Sequence, residues 1–140
     1  MIVLDTDCLS LLERERFLES SNLLKALDEH RSEEIYTTII TFEEQMRGWL
    51  AFIARCKTID EQVLGYERLH RFLESYRNTP VLDFDERAGG AFTALRDQKI
   101  RIGTMDLKIA SIAIANNAVL VTRNLSDFAQ VPGLVAEDWT

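Results

Sequence analysis

Apolar and polar positions along this chain alternate between short, wholly apolar runs and longer stretches of helical period. Met1-Ile2-Val3-Leu4 is apolar throughout, as expected of a strand buried on both faces of a sheet. Asp5-Thr6-Asp7 ends it, and a helical pattern begins at Cys8 with Leu9, Leu11 and Leu12, capped by Asp7 or Thr6. A second helix is expected over about Glu19 to His30, on Leu23, Leu24 and Leu27. Ile35 to Ile40 is rich in β-branched residues and predicts another buried strand. From Thr41 the period becomes helical, with Phe42, Met46, Trp49, Leu50 and Ile53 along one face. A further amphipathic helix, about Ile59 to Tyr76, carries Val63, Tyr66, Leu69, Phe72 and Leu73, and the two make a helical hairpin over about 42–77. Asn78-Thr79-Pro80 breaks the chain before a short strand at Val81-Leu82. Asp85 then caps a helix running to about Lys99, in which Gly89-Gly90 marks either close helix packing or a weak spot.

The C-terminal third holds the most distinctive pattern. From Leu107 to Ile114 the apolar residues cover most of the helix circumference, which predicts a central, buried helix. Val119-Leu120-Val121 follows as a strand, Pro132-Gly133 as a turn, and Leu134-Val135 as a last edge strand. Strands alternating with helices imply a three-layer α/β/α fold on a short parallel sheet, in a single domain spanning 1–140 with the hairpin inserted.

Composition narrows the function classes. The chain is 46% hydrophobic and 28% charged with a net charge of −7, so a general polyanion-binding surface is not expected and any nucleic-acid contact must come from a local basic patch. Cys8 and Cys56 have no metal or redox spacing and are expected to be buried thiols of a reducing compartment. The first apolar run meets Asp5 at once, unlike a signal peptide, and no stretch approaches the ~20 apolar residues of a membrane span. A soluble, cytoplasmic protein is expected.

The candidate chemistry lies in acids at strand and helix ends. Asp5 directly follows a buried strand, and strand C-termini of a parallel sheet share one edge, where the start of the Asp106 helix also converges. Each has a bland alternative. Asp5 suits a turn cap, and Asp106, two residues after a possible N-cap at Thr104, suits the positive end of a helix. Thr41-Phe42-Glu43-Glu44 has capping-box spacing, and local periodicity does not single out Glu44. Asp127 reads equally well as a turn residue. His30 and His70 lack partners at ligand spacing and read as solvated surface. No Ser-His-Asp set, phosphate loop or Cys/His zinc spacing occurs. Several carboxylates at one edge repel one another and imply a cation, and hard oxygen donors favour Mg²⁺ or Mn²⁺.

M-I-V-L-D-T-D at the start, T-I-I-T-F-E-E-Q-M-R-G in the middle, and G-T-M-D-L-K-I-A-S-I-A-I-A-N-N-A-V-L-V-T-R-N-L-S-D-F with P-G-L-V-A-E-D-W at the end resemble the PIN domain. More narrowly, they are similar to the VapC-type toxins of bacterial toxin–antitoxin pairs. The likeness runs nearly end to end and is weakest from about Arg14 to Glu33 and across the hairpin. It implies a metal-dependent endoribonuclease, usually a homodimer, held inactive by an antitoxin. By position, Asp5 matches the family's first acid, Asp106 the acid of its central helix, and Glu44 the helical Glu before Gly48, with Glu43 its neighbour. The fourth position is Asp127 or Asn124: many members carry Asp where this chain has Asn124, and others are similar to this one, with Asn there and an acid at the Asp127 position. Asp7 departs from the more usual Asn.

The resemblance implies phosphodiester hydrolysis by metal-activated water, with Asp5, Glu44, Asp106 and Asp127 holding the metal and Asp5 or Glu44 orienting the water. Lys108, Arg123 and Arg101 are placed to contact RNA phosphates or to neutralise the acids, and Thr6, Thr104 and Asn124 are further substrate contacts. Two alternatives come from other classes. Asp5-Thr6-Asp7-Cys8-Leu9 nearly fits the opening of a haloacid-dehalogenase-like phosphatase, but the fifth position is Leu and no paired late acids follow a strand. A receiver domain would need an Asp and a Lys where Thr41 and Arg123 stand. A catalytically inert PIN-fold binding module is the third reading, kept open by Asn124.

Overall fold

The computed structural model describes residues 1–14 and 18–140. Five short strands form one parallel sheet: β1 (Ile2–Leu4), β2 (Ile35–Thr38), β3 (Val81–Leu82), β4 (Val119–Val121) and β5 (Val135–Glu137), in the order β3-β2-β1-β4-β5. The chain winds from β1 outward through β2 to β3, then crosses back to place β4 on the other side of β1. That reversal opens a crevice at the carboxyl ends of β1 and β4, the position where open parallel sheets bind ligands. The register pairs Leu4 with Val121, and the Asp5 N–H donates to the Val121 carbonyl at 3.1 Å. Asp5 and Thr122 are therefore the first residues beyond the two central strands.

Alternating side chains of the central strands feed two cores. Val3 and Leu120 join one with Leu107, Ile109, Ala110, Ile112 and Ala113, while Ile2, Leu4 and Val121 join the other with Cys8, Leu11 and Leu23. Helices α1 (Thr6–Arg14) and α2 (Leu18–Glu29) thus cover one face, and α5 (Glu86–Asp97) and α6 (Thr104–Ala115) the other. This is the expected three-layer α/β/α arrangement. Helix α6 is buried nearly all round, and its one polar buried residue, Ser111, is satisfied by donating to the Leu107 carbonyl at 2.7 Å. Asp85 caps α5 by accepting from the Ala88 N–H at 3.0 Å.

Two boundaries differ from the sequence expectation. Strand β2 stops at Thr38, and α3 (Ile39–Arg55) starts at once because Thr38, not Thr41, is its cap, accepting from the Thr41 N–H at 3.1 Å. The capping box at Thr41 and Glu44 is consequently absent. Helix α6 likewise starts at Thr104, with Gly103 at the cap position and no side-chain cap. His30 is not solvated surface: its ring stacks on Trp139 at 4.3 Å and Nδ1 lies 2.7 Å from the Ala26 carbonyl.

The hairpin of α3 and α4 (Ile59–Ser75) is held by Phe42 stacked on Phe72 at 5.4 Å and Tyr76 edge-on to both. Its stripe is only partly covered, since Leu50, Val63, Tyr66 and Leu73 stay exposed. Trp49 and Phe52 are half-buried, edge to face at 6.4 Å. The glycines of α3, α4 and α5 divide by what surrounds them. A Cβ at Gly65 would meet Ile53 Cγ1 at 2.9 Å, so α3 and α4 approach closely there, whereas Gly48, Gly89 and Gly90 have open space. The Gly89-Gly90 pair is therefore no packing site. Replacing Gly48 or Gly90 by Ala should stabilise the fold by about 0.5–1 kcal/mol in chemical denaturation. Gly65→Ala should give no such gain, because Ile53 must move.

Candidate active site

Four acids from four separate segments meet at the carboxyl edge of the sheet. Asp5 is the most enclosed, 5% exposed. Its Oδ1 accepts from the Cys8 N–H at 2.8 Å, so Asp5 itself caps α1, the role expected of Asp7 or Thr6. The Thr122 hydroxyl also hydrogen-bonds the carboxylate. Burial pushes the Asp5 carboxyl above the usual range, the bonds from Thr122 and Cys8 oppose that, and the charge of Asp7 adds to it.

Glu44 stands on the second turn of α3, and its Oε1 accepts from the Thr6 hydroxyl at 2.7 Å. Thr41 Oγ1 lies 3.1 Å from Thr6 Oγ1 and 3.2 Å from Thr38 Oγ1. A row of hydroxyls, with Thr38 and Thr41 wholly buried, thus ties the ends of β1 and β2 to Glu44. Glu43 is committed elsewhere, in an exposed ion pair with Arg47 one turn on.

Asp106 is the third residue of α6 and half-buried. Its carboxyl is pushed up to about 6, first by burial and then by the charges of Glu44, Asp5, Asp127 and Asp7. Asp127 lies in the single-turn helix α7 (Leu125–Phe128), where its Oδ2 accepts from Asn124 Nδ2 at 2.8 Å. The Asn124 N–H donates to Thr122 Oγ1 at 2.9 Å, so one hydroxyl links the Asp5 side of the site to the Asp127 side.

The weaker candidates divide. Thr6 and Asn124 are built into the edge by these bonds, and Arg123 Nη1 lies 3.7 Å from Asp7 Oδ2. Thr104 is exposed at the start of α6. Lys108 Nζ sits over the rings of Phe84 and Phe92, at 5.9 and 6.0 Å, and Arg101 is exposed. Thr41 and Thr122 were not singled out from sequence as site residues. The available signal was a threonine placed where a buried apolar run meets a turn.

The donor set is all oxygen, suited to Mg²⁺ or Mn²⁺. Among the described residues no three His, Cys, Asp or Glu side chains form a ready-made metal cage. That is compatible with Mg²⁺, which keeps several waters and takes one or two direct carboxylates. The mutual effect on Asp106 of four other acids is the observation that fits a cation here.

Because the folded state holds the Asp106 proton more tightly than the unfolded chain, ionising Asp106 destabilises the fold as pH rises from the ordinary carboxylate range through about 6. Asp106→Asn removes that charge. Without divalent ions, at about pH 8, it should melt at or above the parent temperature, and the difference should vanish at about pH 4, where the parent is also neutral there. A clear loss of stability at the higher pH would instead assign Asp106 a helix-stabilising role.

A PIN domain family model matches residues 2–134. The chain is 41% identical over 63 residues to Ribonuclease VapC2 of Rickettsia felis, covering 42% of this chain and 47% of the relative. It is 34% identical over 84 residues to the tRNA(fMet)-specific endonuclease VapC of Salmonella typhimurium, covering 56% and 64%. The match thus spans less than two thirds of each of these relatives. Among solved structures, VapBC2 from Rickettsia felis bound to a DNA fragment from their promoter is similar over 100% of both chains, at 28% identity and a TM-score of 0.73. A family match across nearly the whole length, on the expected fold, settles the membership: the chain belongs to the PIN domain family.

Proposed function

We propose that the protein is a divalent-metal-dependent endoribonuclease and the toxic member of a toxin–antitoxin pair. The observation that carries this reading is the crowding of Asp106 by Glu44, Asp5 and Asp127 at the switch point of a parallel sheet. Acids gathered at such a crevice need a counter-ion. The ribonuclease and endonuclease names of the similar proteins supply the reaction class, and the complex named for VapBC2 supports a dedicated protein partner.

Asp5, Glu44, Asp106 and Asp127 would hold Mg²⁺ or Mn²⁺, directly or through water. When bound, such an ion supplies Lewis acidity toward the phosphate and makes water acidic enough to attack near neutral pH. The remaining work falls to the chain. Thr6 fixes Glu44 through Oε1, leaving the second oxygen to orient a water for attack on phosphorus. The Cys8 N–H and Thr122 hold Asp5 in one orientation, and Asn124 does the same for Asp127. No side-chain nucleophile is required, so this reading explains the edge without the covalent Asp of a phosphatase.

The partners proposed with it are RNA as substrate, a cognate antitoxin, and a second copy in a homodimer, in the cytoplasm. No helix among the described residues is long and apolar enough to cross a membrane. The 1–140 chain would act as one domain carrying the α3–α4 hairpin.

Asp5→Asn keeps an oxygen to cap α1 and Asp106→Asn relieves crowding, so both should fold. With Mg²⁺ present each should cut single-stranded RNA about a hundredfold or more slower than the parent. Parent-like rates in both would remove these acids from the site. Expression alone should arrest growth, and co-expression of the adjacent open reading frame should restore it. Absence of any growth effect would leave a house-keeping nuclease or an inert PIN-fold module as the better reading.

A further inference from the structure

Arg123 occupies a constrained place at this edge. It lies between Thr122, which binds Asp5, and Asn124, which binds both Thr122 and Asp127. Its backbone is therefore pinned on both sides, and its side chain leaves from the rim of the acid cluster. Asp7, the second residue of α1 and two residues beyond Asp5, faces it, with Arg123 Nη1 3.7 Å from Asp7 Oδ2. Among the described residues this is the one ion pair that reaches an acid at this edge.

We propose that Asp7 and Arg123 form a latch at the mouth of the carboxylate cluster, in which Arg123 is the cation that takes an RNA phosphate and Asp7 positions it while competing for it. This rests on the RNA-cleaving reading above. At 3.7 Å the pair is in ion-pair range but too long for a hydrogen bond, and the two side chains are 37% and 63% exposed. Exposed pairs of this kind contribute little and are readily exchanged. A phosphate offers Arg123 a bidentate, charge-assisted contact that is stronger than what it gives up. The pair holds the guanidinium beside Asp7, at the rim of the cluster, in the free protein. It also makes RNA displace Asp7 before it can bind.

Asp7 weakens polyanion binding in two separable ways. As a charge it belongs to the field that also bears on Asp5 and Asp106. As a partner it occupies Arg123. The second effect requires Arg123, and the first does not. A double-mutant cycle therefore isolates the latch.

The test measures affinity by fluorescence anisotropy of a labelled, mixed-sequence single-stranded RNA in EDTA, where no cleavage intervenes. The parent is compared with Asp7→Asn, Arg123→Gln and the double variant, each checked for native circular dichroism. Asp7→Asn should tighten binding about threefold to tenfold, and Arg123→Gln should weaken it by a similar factor. Arg123→Gln should also reduce the slope of log affinity against log salt by about 0.7, the loss of one single-strand phosphate contact. In the Arg123→Gln background, the tightening by Asp7→Asn should shrink to the smaller part that Asp7 exerts as a field charge. Equal tightening in both backgrounds would show that Asp7 acts as a field charge alone and overturn the latch. So would an Arg123→Gln variant with unchanged affinity and salt slope. If Asp7→Asn misfolds, Asp7→Ser takes its place in the cycle. A parent that binds RNA with this pattern but does not cut it with Mg²⁺ would sink the nuclease reading and leave the latch standing. A parent that binds no RNA in EDTA would sink the latch, while cleavage with Mg²⁺ present decides the nuclease reading separately.

Discussion

A carboxylate enclosed at the end of a buried strand must be hydrogen-bonded or give up its charge, and the carboxyl edge of this sheet is built around meeting that condition at Asp5. The Cys8 N–H and the Thr122 hydroxyl supply the bonds, and each comes from a different element. The first exists because α1 starts directly after β1, so that the acid doubles as the helix cap. The second exists because β4 pairs with β1 in the register that sets Leu4 against Val121. The placement of the acid is thus a property of the sheet. The sheet in turn holds because α6, apolar on nearly every side, fills the space behind it.

From Asp5 the arrangement extends outward through hydroxyls and amides. Thr122 passes the order to Asn124, and Asn124 to Asp127. On the other flank Thr38, Thr41 and Thr6 carry it to Glu44. These groups are neutral, so they hold the acids in place without cancelling their charge. The repulsion that remains is visible at Asp106, raised to about 6 by burial and by its four acidic neighbours. That crowding is what supports the proposal of a cation at this edge.

Much of this was legible in the chain. The all-apolar runs and the helix apolar on all sides predict a parallel α/β/α sheet, and Asp5 and Asp106 stand out by position at the ends of buried elements. The motif resemblance pointed to the family that the full-length match then showed. What was hidden depended on tertiary pairing. Whether Thr38 or Thr41 caps α3 is decided by where β2 leaves the sheet, and its pairing of Thr38 with Leu82 is not a local property. Thr122 matters only because β4 lies beside β1. Periodicity does not choose Glu44 over Glu43, yet Arg47 takes Glu43 while Thr6, distant in sequence, holds Glu44. The hairpin's apolar stripe does not itself say how much of it is covered: Leu50, Val63, Tyr66 and Leu73 are exposed, because α3 and α4 cover only one side of each other.

On the proposed reading, Asp5, Glu44, Asp106 and Asp127 would together hold a divalent cation. Anomalous diffraction from crystals soaked in Mn²⁺ locates such an ion without relying on activity. A strong manganese peak is expected at the carboxyl ends of β1 and β4, coordinated by oxygens of this set directly or through ordered water, and absent from Asp5→Asn crystals. A peak elsewhere on the surface with none at this edge, or an equal peak in the Asp5→Asn variant, would contradict it.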